Sequence, residues 1–447
     1  MPFIQNSDND LKTMLKTIGV ENFEELLSSI PEDLRKNNDF KFTKALSESE
    51  VKKHLYTISK SNNNCIDNIS FLGGGIYDHY IPAVIDHIVS RSEFYTAYTP
   101  YQAEVSQGTL AVMYEFQTLI NRLTGMEVTN DSMYDCGTAL AEAAHMSRVI
   151  TNKHSIIVSE TVNPQYIEVI KTYSYGLNIP IIVIPSKNGI TDIEEIEKSI
   201  DNDTSAVIVQ SPNYFGMIED MDRISEIVHK NNLLFISVYD PISLGILQTP
   251  GEYDADIAIA EGQSLGNYQA FGGPLLGLFS TRKKFIRQIP GRLVGLTEDT
   301  DGKTGFVMTL QTREQHIRRD RATSNICTNE ALCMTRAAIY LILLGKNGLK
   351  EISETCLRNS HYLFDELIKI NGISPLFNEL FFKEFAVNLP ISSDVLIANL
   401  EKKGIYAGID LSKFNKKLSN GILISVTETK SRIELDKFID EVKIFLN

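Results

Sequence analysis

The sequence predicts an α/β protein: a large domain built on a parallel-rich sheet, then a smaller α+β domain. Three observations lead there. Four short apolar runs, at 155–159 (SIIVS), 179–184 (IPIIVI), 205–210 (SAVIVQ) and 233–238 (LLFISV), lack polar alternation. Strands read that way when both faces of a sheet are covered, as in parallel sheets. Amphipathic helical stretches separate them, at 138–149, 164–173, 193–200 and 221–230, which gives repeated βαβ units with right-handed crossovers. Finally, 447 residues exceed what one hydrophobic core usually spans, so two packed domains are expected.

In chain order, residues 1–60 read as an N-terminal helical arm. Ser7 and neighbouring polar residues offer caps before LKTMLKTIG, and NFEELLSSIPEDLR and SESEVKKHLYTISKS keep helical spacing with acidic first turns. Residues 69–108 differ. Gly73, Gly74 and Gly75 allow a close backbone approach or positive φ. Tyr77, Tyr80, Tyr95, Tyr98 and Tyr101 then accompany Asp78, His79, Gln102, Glu104 and Gln107. Tyrosine suits places where one end of a side chain is apolar and the other hydrogen-bonds. The stretch reads equally as interface packing and as a loop lining a ligand pocket. A helix from Thr109 closes at Gly125. Asp254–Ser280 reads as a buried strand, a polar loop, a glycine hinge and a second strand; from Asn231 to Arg282 it contains no lysine. A basic helix over 282–289, a hairpin over 290–311, helices over 329–344 and 349–369, and alternating strands and helices complete the chain. The large domain is drawn at 61–328 and the small one at 329–447.

Composition narrows the function classes. A net charge of −14 argues against non-specific nucleic-acid binding, which needs clustered Lys and Arg. The one basic cluster, Arg313–Arg321, contains Glu314 and Asp320 and reads better as a solvated, ion-paired face than as an anion site. Five cysteines without a CxxC read as reduced thiols of a cytoplasmic protein. No signal-peptide pattern and no apolar run near ~18 residues is visible, so neither a membrane nor a nucleic-acid partner is expected. The eight histidines lack ligand spacing, so no metal site is expected.

Three constellations could carry chemistry. Tyr134–Leu140 (YDCGTAL) is a small-residue loop entering a helix, where free N–H groups could hold a phosphate; a plain capping turn reads the same. Asp240 follows a strand at the edge where open α/β sheets bind ligands, and could pair with a protonated ring nitrogen or simply cap a helix. Gln210–Tyr214 also follows a strand end.

Taken in order, a phosphate loop, a strand-end Asn-Tyr, a strand-end Asp and a strand–loop–strand resemble the aspartate-aminotransferase-like fold of pyridoxal phosphate (PLP) enzymes. Such enzymes hold the cofactor on a lysine in the loop after the Asp. FLGGGIYDHYIPAVI (71–85), YTPYQAEVSQGTLAVMYEFQTLINRLTGM (98–126), YDCGTALAEA (134–143) and EGQSLGNYQAFGGPLLG (261–277) are similar to the P-protein of the glycine cleavage system, in particular the first chain of its two-chain bacterial form. The resemblance runs from about residue 60 to the C-terminus. It implies an α2β2 glycine dehydrogenase (decarboxylating), an oxidoreductase of glycine catabolism. That enzyme decarboxylates glycine and passes the aminomethyl group to the lipoyl arm of H-protein. It also implies PLP on the partner subunit. Aligning the partner's glycine run on Gly272-Gly273 puts its lysine at Leu265. Cys136, Gly137, Thr138, Asp240 and Leu265 then read as a vestigial cofactor site with no covalent cofactor, and the chain is not expected to be active alone. Tyr95, Tyr98, Gln102, Glu104 and Gln107 are the residues expected to line the partner's active site. A scaffold that lends no residue is the alternative; a self-sufficient PLP enzyme is disfavoured by the missing lysine. Isolated, the chain could pair as a homodimer.

Overall fold

A computed structural model describes residues 5–35, 44–322, 324–326 and 329–446. Cys327 lies outside them. The chain divides into two compact units, Met1–Asn63 and Asn64–Asn447.

In the first unit, helix α1 (Asp8–Ile18) starts at a reciprocal capping box between Ser7 and Asp10 and stops at Gly19, where φ is 90°. Helix α2 (Glu48–Ser59) uses the same device with Ser47 and Glu50. The helix expected over 22–35 is reduced to one turn at Phe23–Leu26 and a 3-10 turn at Glu32–Leu34. Pro31 sits between them, and proline breaks the hydrogen-bond ladder there.

The second unit is organised by a seven-stranded sheet: β1 (Val128–Thr129), β2 (Ser155–Ser159), β3 (Ile181–Ile184), β4 (Thr204–Ser211), β5 (Leu234–Tyr239), β6 (Ile257–Glu261) and β7 (Gly277–Thr281). Its order is β3-β2-β4-β5-β6-β7-β1. Pairings from β3 through β6 are parallel, and β7 runs antiparallel to both neighbours. The sheet is therefore mixed but parallel-rich. Strands β2 and β5 are buried along their whole length, which is why they read as unbroken apolar runs. The order reverses between β2 and β4, and crevices form at the carboxyl ends beside such a point.

Helices α3 (Gln107–Thr124), α4 (Cys136–Thr151), α5 (Pro164–Tyr175), α6 (Ile193–Ser199) and α7 (Met221–Lys230) connect or cover these strands. The expected basic helix over 282–289 is one 3-10 turn, Lys283–Phe285, cut short before Pro290. A hairpin follows, β8 (Leu293–Glu298) with β9 (Thr304–Thr309). The two helices expected after 329 form one stretch, α8 (Ala331–Leu367), interrupted at Gly345, where φ is 55° and ψ is −168°. An antiparallel sheet of β10 (Ser374–Pro375), β11 (Glu384–Asn388), β12 (Ile409–Asp410) and β13 (Gly421–Ser425) follows. Helices α9 (Ser393–Glu401) and α10 (Arg432–Leu446) pack with it around a core that includes Phe385, Val387, Leu400, Ile422 and Phe438.

Candidate functional site

The carboxyl ends of β4, β5 and β6 converge on the first residue of α4. Gln210, Tyr239, Asp240 and Glu261 meet Cys136 there, and Lys383 and Glu384 arrive from the start of β11. The space they leave is about 30 Å³, room for a water or two.

Residues 73–77 close the cavity, and the glycines make this possible. Gly74 and Gly75 have φ of 72° and 111°, and a Cβ on Gly73 would lie 2.2 Å from Glu384 Oε1. The Gly74 N–H donates to that oxygen at 2.7 Å, and the Tyr77 hydroxyl donates to Glu384 Oε2 at 2.6 Å. Burial pushes the Glu384 carboxyl up to about 7 against these two donors.

At one end of the cavity lies a fully internal cation. The Lys383 ammonium is 2.7 Å from Asp240 Oδ2, and its side chain is only 2% exposed. The same ammonium sits 3.6 Å from the Tyr77 ring centroid and 3.0 Å from His79 Nε2. An ammonium can only donate, so His79 Nε2 accepts and His79 Nδ1–H donates to Glu428 Oε2 at 2.7 Å. Glu428 also accepts from the Tyr80 N–H at 2.8 Å and the Cys356 thiol at 3.4 Å. His79, Cys356 and Glu428 bring three ligand-type atoms within 4.8 Å of one another, but these hydrogen bonds already engage both nitrogens of His79 and the thiol of Cys356.

At the other end stands a carboxyl. Glu261, the last residue of β6, accepts from the Cys136 N–H at 3.1 Å, the Gln263 N–H at 3.0 Å and the Leu276 N–H at 2.9 Å. Burial pushes it up to about 8, although all three donors favour its charged form. Beside it, Asp135 caps α4 by accepting from the Thr138 N–H at 2.7 Å. An adjoining cavity of about 130 Å³ has both Asp135 and Glu261 in its wall, with Gly137.

The structure therefore gathers Cys136 and Asp240 in one cavity and Gly137 in the next. Thr138 belongs to the capping box. Leu265 is fully buried in the apolar core with Ile85, Leu110 and Tyr340 and lines neither cavity. Of the tyrosine-rich stretch, Tyr95 and Tyr98 are 68% and 74% exposed, and Gln102 and Glu104 are exposed as well. Gln107 turns inward: its amide donates to the Phe306 carbonyl at 2.8 Å and accepts from the Phe306 N–H at 2.9 Å. In the basic cluster, Arg313 donates to the carbonyls of Ile289 and Gly291, while Arg318, Arg319 and Arg321 face solvent.

Residues 1–442 match the family model of the glycine cleavage system P-protein. The chain belongs to the P-protein family. A relative from Chloroherpeton thalassium, named probable glycine dehydrogenase (decarboxylating) subunit 1, is 49% identical over 443 residues, 99% of both chains. A crystal structure of glycine decarboxylase (P-protein) in inhibitor-bound form superposes with a TM-score of 0.91 at 36% identity, covering 99% of this chain and all of that one. A Lactobacillus brevis glutamate decarboxylase, 14% identical, shares the fold at a TM-score of 0.69 over 92% of this chain and 95% of its own. The P-protein chain thus has the α/β fold of PLP-dependent transferases.

That fold implies PLP, and the residues of this P-protein chain do not fit it. The Asp expected to meet a ring nitrogen is already paired with Lys383. The α4 N–H expected to hold a phosphate is taken by Glu261, and the flanking Asp135 is acidic too. Lys383, the residue that decides this, sits at a strand edge far along the chain. Its signal in the sequence is a Lys-Glu pair inside the apolar run FFKEFAV. Lys383 directly precedes the strand and Glu384 opens it, and both are buried against the one cavity.

Proposed function

We propose that this chain is the first subunit of a two-chain glycine dehydrogenase (decarboxylating). The complex decarboxylates glycine and passes the aminomethyl group to the lipoyl arm of H-protein. PLP resides on the second subunit, in an α2β2 assembly, and this chain is inactive alone. The observation that carries the reading is that its own cofactor region is closed by internal side chains while the full-length family match is retained. A chain of this fold that cannot host the cofactor can still build the interface around a partner's cofactor.

Tyr95, Tyr98, Gln102 and Glu104 line the partner's active site in this proposal. Their exposure supports it: Tyr95 and Tyr98 are 68% and 74% exposed, and Gln102 and Glu104 are exposed as well. Gln107 fixes the base of the same loop to β9. No helix among the described residues is long and apolar enough to cross a membrane, and we place the complex in the cytoplasm.

The test is reconstitution. Each purified subunit is assayed alone and both together, with lipoylated H-protein, for exchange of the glycine carboxyl with bicarbonate. Exchange is expected only with both subunits; exchange by this chain alone defeats the reading.

A further inference from the structure

Lys383 and Glu261 stand at the two ends of the closed cavity, where the resemblance to PLP enzymes puts the ring-nitrogen and phosphate ends of the cofactor. Asp240, at the end of β5, needs a cation. In this chain it has one that cannot leave, at 2.7 Å and 2% exposure. A buried carboxylate without a partner is costly, so whatever fills this place decides whether the region is stable. The Tyr77 ring, 3.6 Å away, adds an aromatic face to the ammonium. The first N–H of α4 needs an acceptor, and Glu261 supplies it while also taking the N–H groups of Gln263 and Leu276. Lys383 comes from the start of β11, far along the chain from the loop whose lysine is missing, and Glu261 closes the strand that leads into that loop.

We propose that Lys383 and Glu261 are an intramolecular replacement for the cofactor, the ammonium standing for the ring-nitrogen end and the carboxyl for the phosphate end. The replacement makes the region self-sufficient: the sheet edge is charge-matched and the helix N-terminus satisfied as soon as the chain folds, without a ligand to wait for. It also defines a ligand class. Removing the Lys383 side chain leaves a small cation site that takes an alkylammonium ion, and removing the Glu261 side chain leaves an acceptor site that takes a small carboxylate. The inference concerns this chain's own cavity and stands whether or not the chain lends residues to a partner.

The test uses the purified full-length chain and reads melting temperature and bound cofactor. Wild-type chain dialysed against PLP is expected to retain none stoichiometrically and to melt at the same temperature with and without it. One PLP per chain overturns the proposal. Lys383→Ala is expected to melt several degrees lower and to regain much of the loss in methylammonium chloride, but not in sodium chloride at equal concentration. Glu261→Ala is expected to be raised by sodium acetate relative to sodium chloride, with wild type indifferent to either. Equal responses to the matching ion and to sodium chloride overturn the proposal. If Lys383→Ala does not fold, the pair Lys383→Met and Asp240→Asn with Lys383→Met decides. The double variant, with both charges removed, is expected to be the more soluble and the higher-melting. A double variant no better than the single one means that Asp240 does not depend on Lys383, and the proposal fails.

Discussion

Glu261 shows how a single buried carboxyl shapes the pH response. Its ordinary value of 4.5 is raised to about 8 by burial. Between those values the folded state holds a proton that the unfolded state has released. Stability from this group is therefore full below about 4.5 and is lost as pH rises toward 8, with a limiting slope of about 1.4 kcal/mol per pH unit. Glu384 and Glu142, both raised to about 7 by burial, add to the same loss over a shorter range. Glu428 works in the opposite sense: against its burial, the His79 Nδ1–H and the Tyr80 N–H hold it down, so it withdraws stability as pH falls below 4.5. The expected melting temperature of the full chain declines from about pH 4.5 to about pH 8 and then levels for these groups. Glu261→Gln is expected to remove the upper part of that decline, leaving the share due to Glu384 and Glu142. A titration of melting temperature against pH on both proteins checks it; an unchanged slope between about pH 7 and 8 in the variant removes Glu261 from the account. At this scale the sequence was half legible. Asp240 and Cys136 stood out because they follow a strand end and open a helix. Lys383 and Glu261 did not, since what makes them functional is convergence from different elements, and that is invisible in one dimension.

Elements were easier to read than residues. β2 falls where its apolar run puts it, because full burial on both faces leaves no polar interruption to blur the boundary; α7 falls where its spacing puts it, with Met221, Ile224, Ser225 and Val228 on one buried face. The misreadings sit at prolines: Pro31 cuts a predicted helix to single turns and Pro290 shortens another. Only a helix long enough to tolerate a break spans Gly345. The turn at 213–217 illustrates how elements position the site. Gly216 has φ of 85°, and its carbonyl accepts from the Phe382 N–H at 3.1 Å, one residue before Lys383. Added there, a Cβ would lie 1.9 Å from the Glu384 carbonyl oxygen. Backbone cannot yield as a flexible side chain does, so the loop after β4 and the start of β11 would separate. Gly216→Ala is expected to cost about 3 kcal/mol or more, a loss readable in urea unfolding. It should also move Lys383 away from Asp240. A variant within about 0.5 kcal/mol of wild type would show that the two segments are not held by this contact.

For the whole molecule, the decisive contrast is between a closed cavity and an open, aromatic-rich loop. In the proposed function, a subunit whose own cofactor region is internally satisfied serves catalysis through the surface it presents to another chain. Such surfaces concentrate energy in tyrosine, which offers a large rigid face and a polar tip at low entropic cost. Tyr95 and Tyr98 are the most exposed members of the stretch's tyrosines, at 68% and 74%, on a segment anchored to β9 through Gln107. Removing an exposed ring typically costs an isolated chain little, and the melting temperature of the isolated variant measures that share directly. The double substitution Tyr95→Ala with Tyr98→Ala is expected to lower the melting temperature of the isolated chain by no more than a few degrees. In the reconstituted enzyme it is expected to lower glycine–bicarbonate exchange at least tenfold, a loss of about 1.4 kcal/mol or more in transition-state stabilisation. Size-exclusion chromatography of the mixture tells the two roles apart. An assembled but slow complex means the rings serve the partner's active site, and a complex that no longer forms means they serve the interface. An assembled complex with full exchange makes this chain a scaffold that lends neither ring.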